Sequence, residues 1–291
     1  MVCALGESSR LVGRSHECNH PPGIARLPVC TAPKLNPNAL SGEIHRQAGS
    51  MSQAGSSLYN LDAALLKQLQ PDLILTQEQC EVCAVAPADV ERAVAGWTGR
   101  RPQILSLGAR RLAEIWTDMR RVAEAIGVEE HGREIVKTLK NRVVDLIEKT
   151  CQLKERPKTA CIEWLDPLMA AGNWTPELVE LAGGTSVTGE AGKHSPRLEW
   201  GTLVELDPEI IVVMPCGFTV TRTRQEIGSM TSRPDWNRLR AVKNRRVFLT
   251  DGDQYFNRPG PRIVEAVEIL AEIIHPDRFN FGHKGRAWEK L

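Results

Sequence analysis

An α/β fold with mainly parallel sheets follows from three features of the sequence. Short apolar runs alternate with longer helical patterns along the chain. Two of those runs share the same lead-in, one in each half. The strongest helical period lies between the halves, which divides the 291 residues into two lobes.

The runs predicted as strands cover residues 10–14, 72–76, 103–107, 159–163, 209–214 and 246–250. The shared lead-in is Leu69-Gln70-Pro71-Asp72-Leu73-Ile74 in the first half and Leu206-Asp207-Pro208-Glu209-Ile210-Ile211 in the second. In both, a helix ends at a proline and an acidic residue opens a buried strand.

Leu112, Ile115, Trp116, Met119, Val122, Ala123 and Ile126 repeat at i, i+3, i+4 and i+7, the signature of a helix with one apolar face. A second pattern through Ile135, Leu139, Val143, Leu146 and Ile147 predicts a helix over about 131–153, roughly 34 Å long at 1.5 Å per residue. That helix can act as a rigid strut joining the lobes. The expected division is residues 1–108 for the N-terminal lobe, 109–155 for the helical segment and 156–291 for the C-terminal lobe. A last helix carries Ile263, Val264, Val267, Leu270, Ala271 and Ile274 on one face and is launched by Pro259-Gly260-Pro261. The tail beyond Pro276 reads as irregular.

Composition excludes several functions. Hydrophobic residues make up 42% and charged residues 25%, and the formal charge is +1, so nucleic acid is not an expected partner. No apolar run approaches the roughly 20 residues needed to cross a bilayer. As written, the chain reads as cytoplasmic; a signal upstream would place it in the periplasm or on a membrane anchor. Eight cysteines in a chain of this size are read as thiols. No G-x-S-x-G elbow, phosphate-cradling loop or G-x-G-x-x-G is present, so no enzyme is expected.

Three stretches resemble one family. Leu11-Val12-Gly13-Arg14-Ser15-His16 with Pro21-Pro22, Leu69-Gln70-Pro71-Asp72-Leu73-Ile74, and Asn257-Arg258-Pro259-Gly260-Pro261-Arg262 are similar, in order and spacing, to the substrate-binding proteins of cobalamin and ferric-siderophore ABC importers. The Ser15-His16-Glu17-Cys18 and Cys80-Glu81-Val82-Cys83 stretches look closest to the cobalamin-binding branch. The resemblance implies two Rossmann-like lobes bridged by one long rigid helix, with a ligand cleft between them. It implies a monomer that captures a corrinoid or siderophore, hands it to permease subunits and uses no catalytic cofactor. Glu81 and Glu205 lie near the places where such proteins dock to the permease. The family's first buried strand would precede Val2 and is missing here.

Ligands of parallel sheets bind beyond the carboxyl ends of the strands. The segments following the predicted strands deliver His16, Glu17 and Cys18; Gln79 and Cys80; Trp164; Phe218; and Asp253, Tyr255, Phe256 and Arg258. With Trp200 they form a lining suited to a corrin ring, which has a wide apolar face rimmed by amides. His16, Cys18, Cys80 and Cys83 are soft donors that could hold a metal ion or the cobalt. The alternatives are a ferric-siderophore or haem-type binder of the same fold, a cytoplasmic corrinoid or metal carrier, or a thiol- or metal-dependent enzyme.

Overall fold

The computed structural model describes residues 1–54, 56–78, 85–97 and 101–291, which fall into two units. Unit 1 comprises Met1–Ala109 and Trp116–Val136, and unit 2 comprises Arg110–Ile115 and Lys137–Leu291.

Unit 1 begins with β1 (Thr31–Pro33), α1 (Ser41–Gln53), β2 (Tyr59–Leu61) and α2 (Ala63–Leu69). It continues with β3 (Leu73–Gln77), α3 (Pro87–Ala95) and β4 (Gln103–Leu107). β3 and β4 pair in parallel from Leu73↔Gln103 to Gln77↔Leu107, and β1 pairs antiparallel with β2. Alternate residues of a strand face opposite sides. Leu75, Leu105 and Leu107 accordingly join a cluster with Leu5, Val122 and Ala123, while Ile74 and Ile104 join Cys30, Leu66 and Val94. Both faces are covered, as a parallel pair requires.

The strand expected at 10–14 does not form. Ser8–Arg10 is a 3-10 turn, and the segment makes one isolated bridge, Arg14↔Val29. Arg14 N–H donates to Pro28 O and Cys30 N–H to Arg14 O. Pro28 itself has no N–H to give, so the ladder cannot extend.

Two helices follow, α4 (Leu112–Ala125) and α5 (Glu129–Thr150), and the division between the units runs through both. The predicted period of α4 is its buried stripe: Ile115, Met119, Val122 and Ala123 are all 0% exposed. Asp118 is buried among them because its Oδ2 accepts from the N–H groups of Gly108 and Ala109, each at 3.1 Å, just past β4. Gly132 of α5 lies so close to Ala123 of α4 that a Cβ there would be 2.3 Å from the alanine methyl.

Unit 2 runs β5 (Lys158–Trp164), β6 (Met169–Ala170), α6 (Thr175–Leu181), β7 (Thr185–Ser186), α7 (Trp200–Leu206) and β8 (Ile210–Val213). It closes with α8 (Val220–Glu226), α9 (Gly228–Thr231), α10 (Arg240–Lys243), β9 (Val247–Thr250), α11 (Ile263–Ile274) and β10 (Trp288–Lys290). The sheet order is β10-β9-β8-β5-β6, with β7 also on β5; β5, β8 and β9 are parallel, so their carboxyl ends share one edge. Ile162, Ile211, Val213 and Leu249 build the core on one face with Leu203 and Met230.

The repeated lead-in has a common geometry. Gln70 (φ 44°) caps α2 and Asp207 (φ 40°) caps α7, both left-handed, immediately before Pro71 and Pro208. The left-handed turn stops each helix and reverses the chain into the next strand. At Asp207 the carboxylate also accepts from Arg240 N–H at 2.8 Å.

The tail after Pro276 is irregular through 287, as expected, and then forms a short strand. β10 adds an antiparallel edge to β9, with Trp288 opposite Thr250. A buried polar network beneath it joins α11 to the tail. Glu268 accepts from Arg142 (2.7 Å) and from His283 (3.0 Å), and Arg286 donates to the other ring nitrogen of His283 (3.2 Å). Since a guanidinium can only donate, His283 carries its proton on Nε2.

Burial disfavours the charge on Glu268, but hydrogen bonds from His283 and Arg142 outweigh it and hold the carboxyl below its ordinary value. A depressed carboxyl stabilises the fold fully above its unfolded pKa, about 4.3, and that stability is lost as pH falls through the folded value. Glu268→Gln should therefore lack part of the acid limb of the melting-temperature profile. Parallel profiles for wild type and variant below pH 5 would show that Glu268 does not contribute it.

Candidate functional site: the carboxyl edge of the second sheet

The carboxyl ends of β5, β8 and β9 each release a short turn, and hydrogen bonds tie the turns together. Cys216 N–H, after β8, donates to Glu163 O at 3.2 Å, in β5. Asp253 N–H, after β9, donates to Phe218 O at 3.2 Å. Gly252 lies tight against the end of β8, where a Cβ would meet Pro215 O at 2.2 Å. The turn Gly252–Phe256 is one π-helical turn, capped by Asp251 Oδ1 accepting from Gln254 N–H at 2.8 Å. Burial, aided by nearby Asp253, raises the Asp251 carboxyl above its ordinary value against the opposing pull of the Gln254 N–H and two arginines.

On this edge Trp164 is half-buried and rests on Phe218, ring centroids 5.3 Å apart. The Arg222 guanidinium lies 5.0 Å over the Phe218 ring and pairs with Glu226. Arg258 pairs with Asp253, and Gln254 Nε2 donates to Asp253 Oδ2 at 3.1 Å. Arg262 donates to Gln254 Oε1 at 2.7 Å and lies 4.1 Å over the Tyr255 ring. Glu163 accepts from the Ser195 hydroxyl at 2.8 Å.

Of the residues expected to line a site, Trp164, Phe218, Asp253 and Arg258 come together here. The π-helical turn rolls Tyr255 and Phe256 inward, to 4% and 1% exposure, and Phe218, also at 4%, is buried against Trp164. Trp200 lies at the start of α7, its N–H on Pro234 O (2.7 Å) and its ring stacked on Trp236. Arg222, Gln254 and Arg262 are additions to the expected set. Arg222 had one readable signal, its place in the first turn of a helix after a strand.

In unit 1, His16, Glu17 and Cys18 occupy the loop after Arg14. The His16 ring is held by Thr31 Oγ1 (2.7 Å) at Nδ1 and by the Tyr59 ring 5.3 Å away, with Glu17 3.4 Å from Nε2. Cys18 Sγ accepts from the Ser15 hydroxyl at 3.3 Å. Gln79, Cys80, Glu81 and Cys83 lie outside the described residues. Among the described residues no group of three or more His, Cys, Asp or Glu is placed to hold a metal ion; of the four expected ligands, His16 and Cys18 are among the described residues and Cys80 and Cys83 are not. Glu205 is exposed on α7.

A parallel sheet whose carboxyl edge carries an aromatic pair beside paired polar groups is the kind of surface on which a ligand can bind. A family model described as periplasmic binding protein matches residues 1–254, and the chain belongs to that family. Its members bind and deliver ligands, and this chain is not an enzyme. An uncharacterised ABC transporter substrate-binding lipoprotein of Bacillus subtilis is 29% identical over 223 residues, covering 76% of this chain and 67% of that protein. A periplasmic heme binding protein of Pseudomonas aeruginosa superposes with a TM-score of 0.70 at 18% identity, over 95% of this chain and 89% of that one. The periplasmic vitamin B12 binding protein of Vibrio cholerae does so with a TM-score of 0.65 at 18% identity, over 94% and 91%. Among the described residues no helix is long and apolar enough to cross a membrane; the apolar α11 has 12 residues.

Proposed function

We propose that this protein is the substrate-binding component of an ABC importer and that its ligand is a corrinoid. It works outside the cytoplasmic membrane as a monomer and docks to permease subunits, with exposed Glu205 on the docking side. The charge balance of the strand-end surface carries the reading. Arg222, Arg258 and Arg262 are each matched by a carboxylate, Glu226, Asp253 and Glu265, while Asp166, Glu163 and Asp251 add negative groups.

Such a surface disfavours a polyanionic siderophore or the propionates of haem, whose charges would have to displace existing ion pairs. A cobalamin is close to neutral, since its cobalt offsets its phosphate. Its ring offers an apolar face for Trp164, and its rim of amides can both donate to and accept from paired groups such as Asp253–Arg258.

The test is a titration of the reduced protein with cyano- and aquocobalamin, followed by heat and by the corrin spectrum. Saturation near one ligand per chain is expected, and Trp164→Ala should weaken it about 30-fold, roughly 2 kcal/mol for a central aromatic contact. Half-buried Cys216, on the same edge, should be shielded from alkylation by the bound ligand. A folded protein that gives no heat with either cobalamin but saturates with haem or a ferric siderophore would overturn the corrinoid reading. A shift with aquocobalamin alone would point to a side chain such as His16 or Cys18 replacing the cobalt-bound water.

A further inference from the structure

The polar half of the strand-end surface is wired in series. Arg262, the residue that caps α11, donates from Nη1 to Gln254 Oε1 at 2.7 Å. Gln254 Nε2 donates to Asp253 Oδ2 at 3.1 Å, and the other carboxylate oxygen of Asp253 pairs with Arg258. An amide side chain has an accepting end and a donating end, and which end faces which neighbour is set by those neighbours. With a guanidinium on one side and a carboxylate on the other, only one orientation of Gln254 satisfies both. The reverse would place a carbonyl against Asp253 and an N–H₂ against Arg262.

Arg262 is itself held on three sides. Its guanidinium lies 4.1 Å over the ring of Tyr255, contacts Glu265 at 3.4 Å and keeps 21% side-chain exposure. Tyr255 beneath it is buried and stands edge-on to His283, whose position the Glu268 network fixes. The start of the relay is thus rooted in the core, while its far end, Arg258, is more open, with 30% side-chain exposure.

We propose that Arg262 is a positioning residue for ligand binding: by fixing the Gln254 amide it holds Asp253, and through Asp253 it aims Arg258 at the ligand. The proposal rests on the reading that this edge binds a corrinoid. In its absence Gln254 can turn over, Asp253 loses a donor, and Arg258 samples orientations that do not meet an amide rim. A lysine at 262 keeps the charge but lacks the planar fork that both stacks on Tyr255 and reaches Gln254, so the exchange is not conservative.

The experiment compares wild type, Arg262→Lys, Gln254→Glu and the double variant, with two readouts. The first is cyanocobalamin affinity. Arg262→Lys is expected to weaken binding about tenfold, the size of one lost charge-assisted hydrogen bond. Gln254→Glu, which can still accept from Arg262 but cannot donate to Asp253, should weaken it to a similar degree, and the double variant should be no worse than the poorer single. The second readout is the side-chain amide of Gln254 by NMR in the ligand-free protein, assigned by its loss in Gln254→Glu. Two separate resonances with slowed hydrogen exchange are expected in wild type, and loss of that protection in Arg262→Lys.

Additive losses, or Arg262→Lys weakening binding while Gln254→Glu does not, would reduce Arg262 to a packing residue and overturn the relay. An unprotected Gln254 amide in wild type would also overturn it. If wild type binds no corrinoid but the amide responds to Arg262→Lys as stated, the ligand assignment fails while the fixed amide stands.

Discussion

Replacing Glu272 by alanine should destabilise the protein by about 3–5 kcal/mol, because three buried donors lose their acceptor at once. Glu272 is 3% exposed on α11, and three donors converge on it. Trp288 Nε1 reaches one carboxylate oxygen at 2.6 Å, and the N–H groups of His283 (3.2 Å) and Phe281 reach the other. Each donor left without a partner in a dry site costs on the order of 1–3 kcal/mol. Trp288 also packs edge-on against Phe248, ring centroids 5.6 Å apart, so losing its anchor frees β10 from β9. Urea denaturation gives the free energy, and hydrogen exchange locates it: residues 281–290 should lose protection before the parallel strands. Glu272→Gln, which keeps one acceptor oxygen, should fall between the two. A loss below 1 kcal/mol in Glu272→Ala, or protection lost evenly across unit 2, would show that the tail does not depend on this carboxylate.

That network also marks where sequence reasoning ran out. The parallel strands were legible because β8 and β9 are fully buried, largely apolar runs and β3, β4 and β5 carry apolar stretches opened by recognisable breakers. The period of α4 placed its core stripe correctly, and α5 was readable to within a turn or so. On α11 the apolar face was plain, but Glu268 and Glu272, one turn apart, had the spacing of a solvated edge. They are buried because residues 281–288 fold back over them, and nothing within the helix announces a partner so far along the chain. For the same reason β10 was missed: three residues on an edge carry no period. α1 escaped notice because its buried residues, Ser41 and Gly42, are small and display no apolar face.

The candidate site was half legible, for a similar reason. Strand order and direction say which turns gather at one edge, and so pointed to Trp164, Phe218, Asp253 and Arg258. Whether a side chain in such a turn faces out or in depends on the local backbone. The π-helical turn at Gly252–Phe256 carries two aromatics inward and sets Tyr255 beneath Arg262. Aromatic content near strand ends therefore counts side chains that the turn carries inward along with those it leaves at the surface.

Gly252→Ala should damage binding while leaving the protein folded. The glycine sits just past the end of β9, and an alanine methyl would lie 2.2 Å from Pro215 O and 2.7 Å from Met214 O. Both obstacles are backbone, so the turn must move as a body. Overpacking of this kind costs typically 1–3 kcal/mol of stability. The displaced turn carries Asp253, whose N–H ties it to Phe218, and it carries Asn257, whose amide bridges Met214 O (3.0 Å) and Gly252 O (3.1 Å). One shift thereby separates the aromatic platform from the Asp253–Arg258 pair, and a ligand that needs both loses the product of two contacts. A fall in cobalamin affinity of roughly 100-fold is expected, about 2.7 kcal/mol at 1.4 kcal/mol per decade. Gly201→Ala is the control: it lies in α7 with nothing within 4 Å of the added methyl, and it should leave affinity unchanged while the fold gains up to about 1 kcal/mol. If Gly252→Ala binds as wild type does while melting several degrees lower, the two halves of this edge do not act on one ligand. Binding would then have to be sought on the loops of unit 1, beginning with His16 and Cys18.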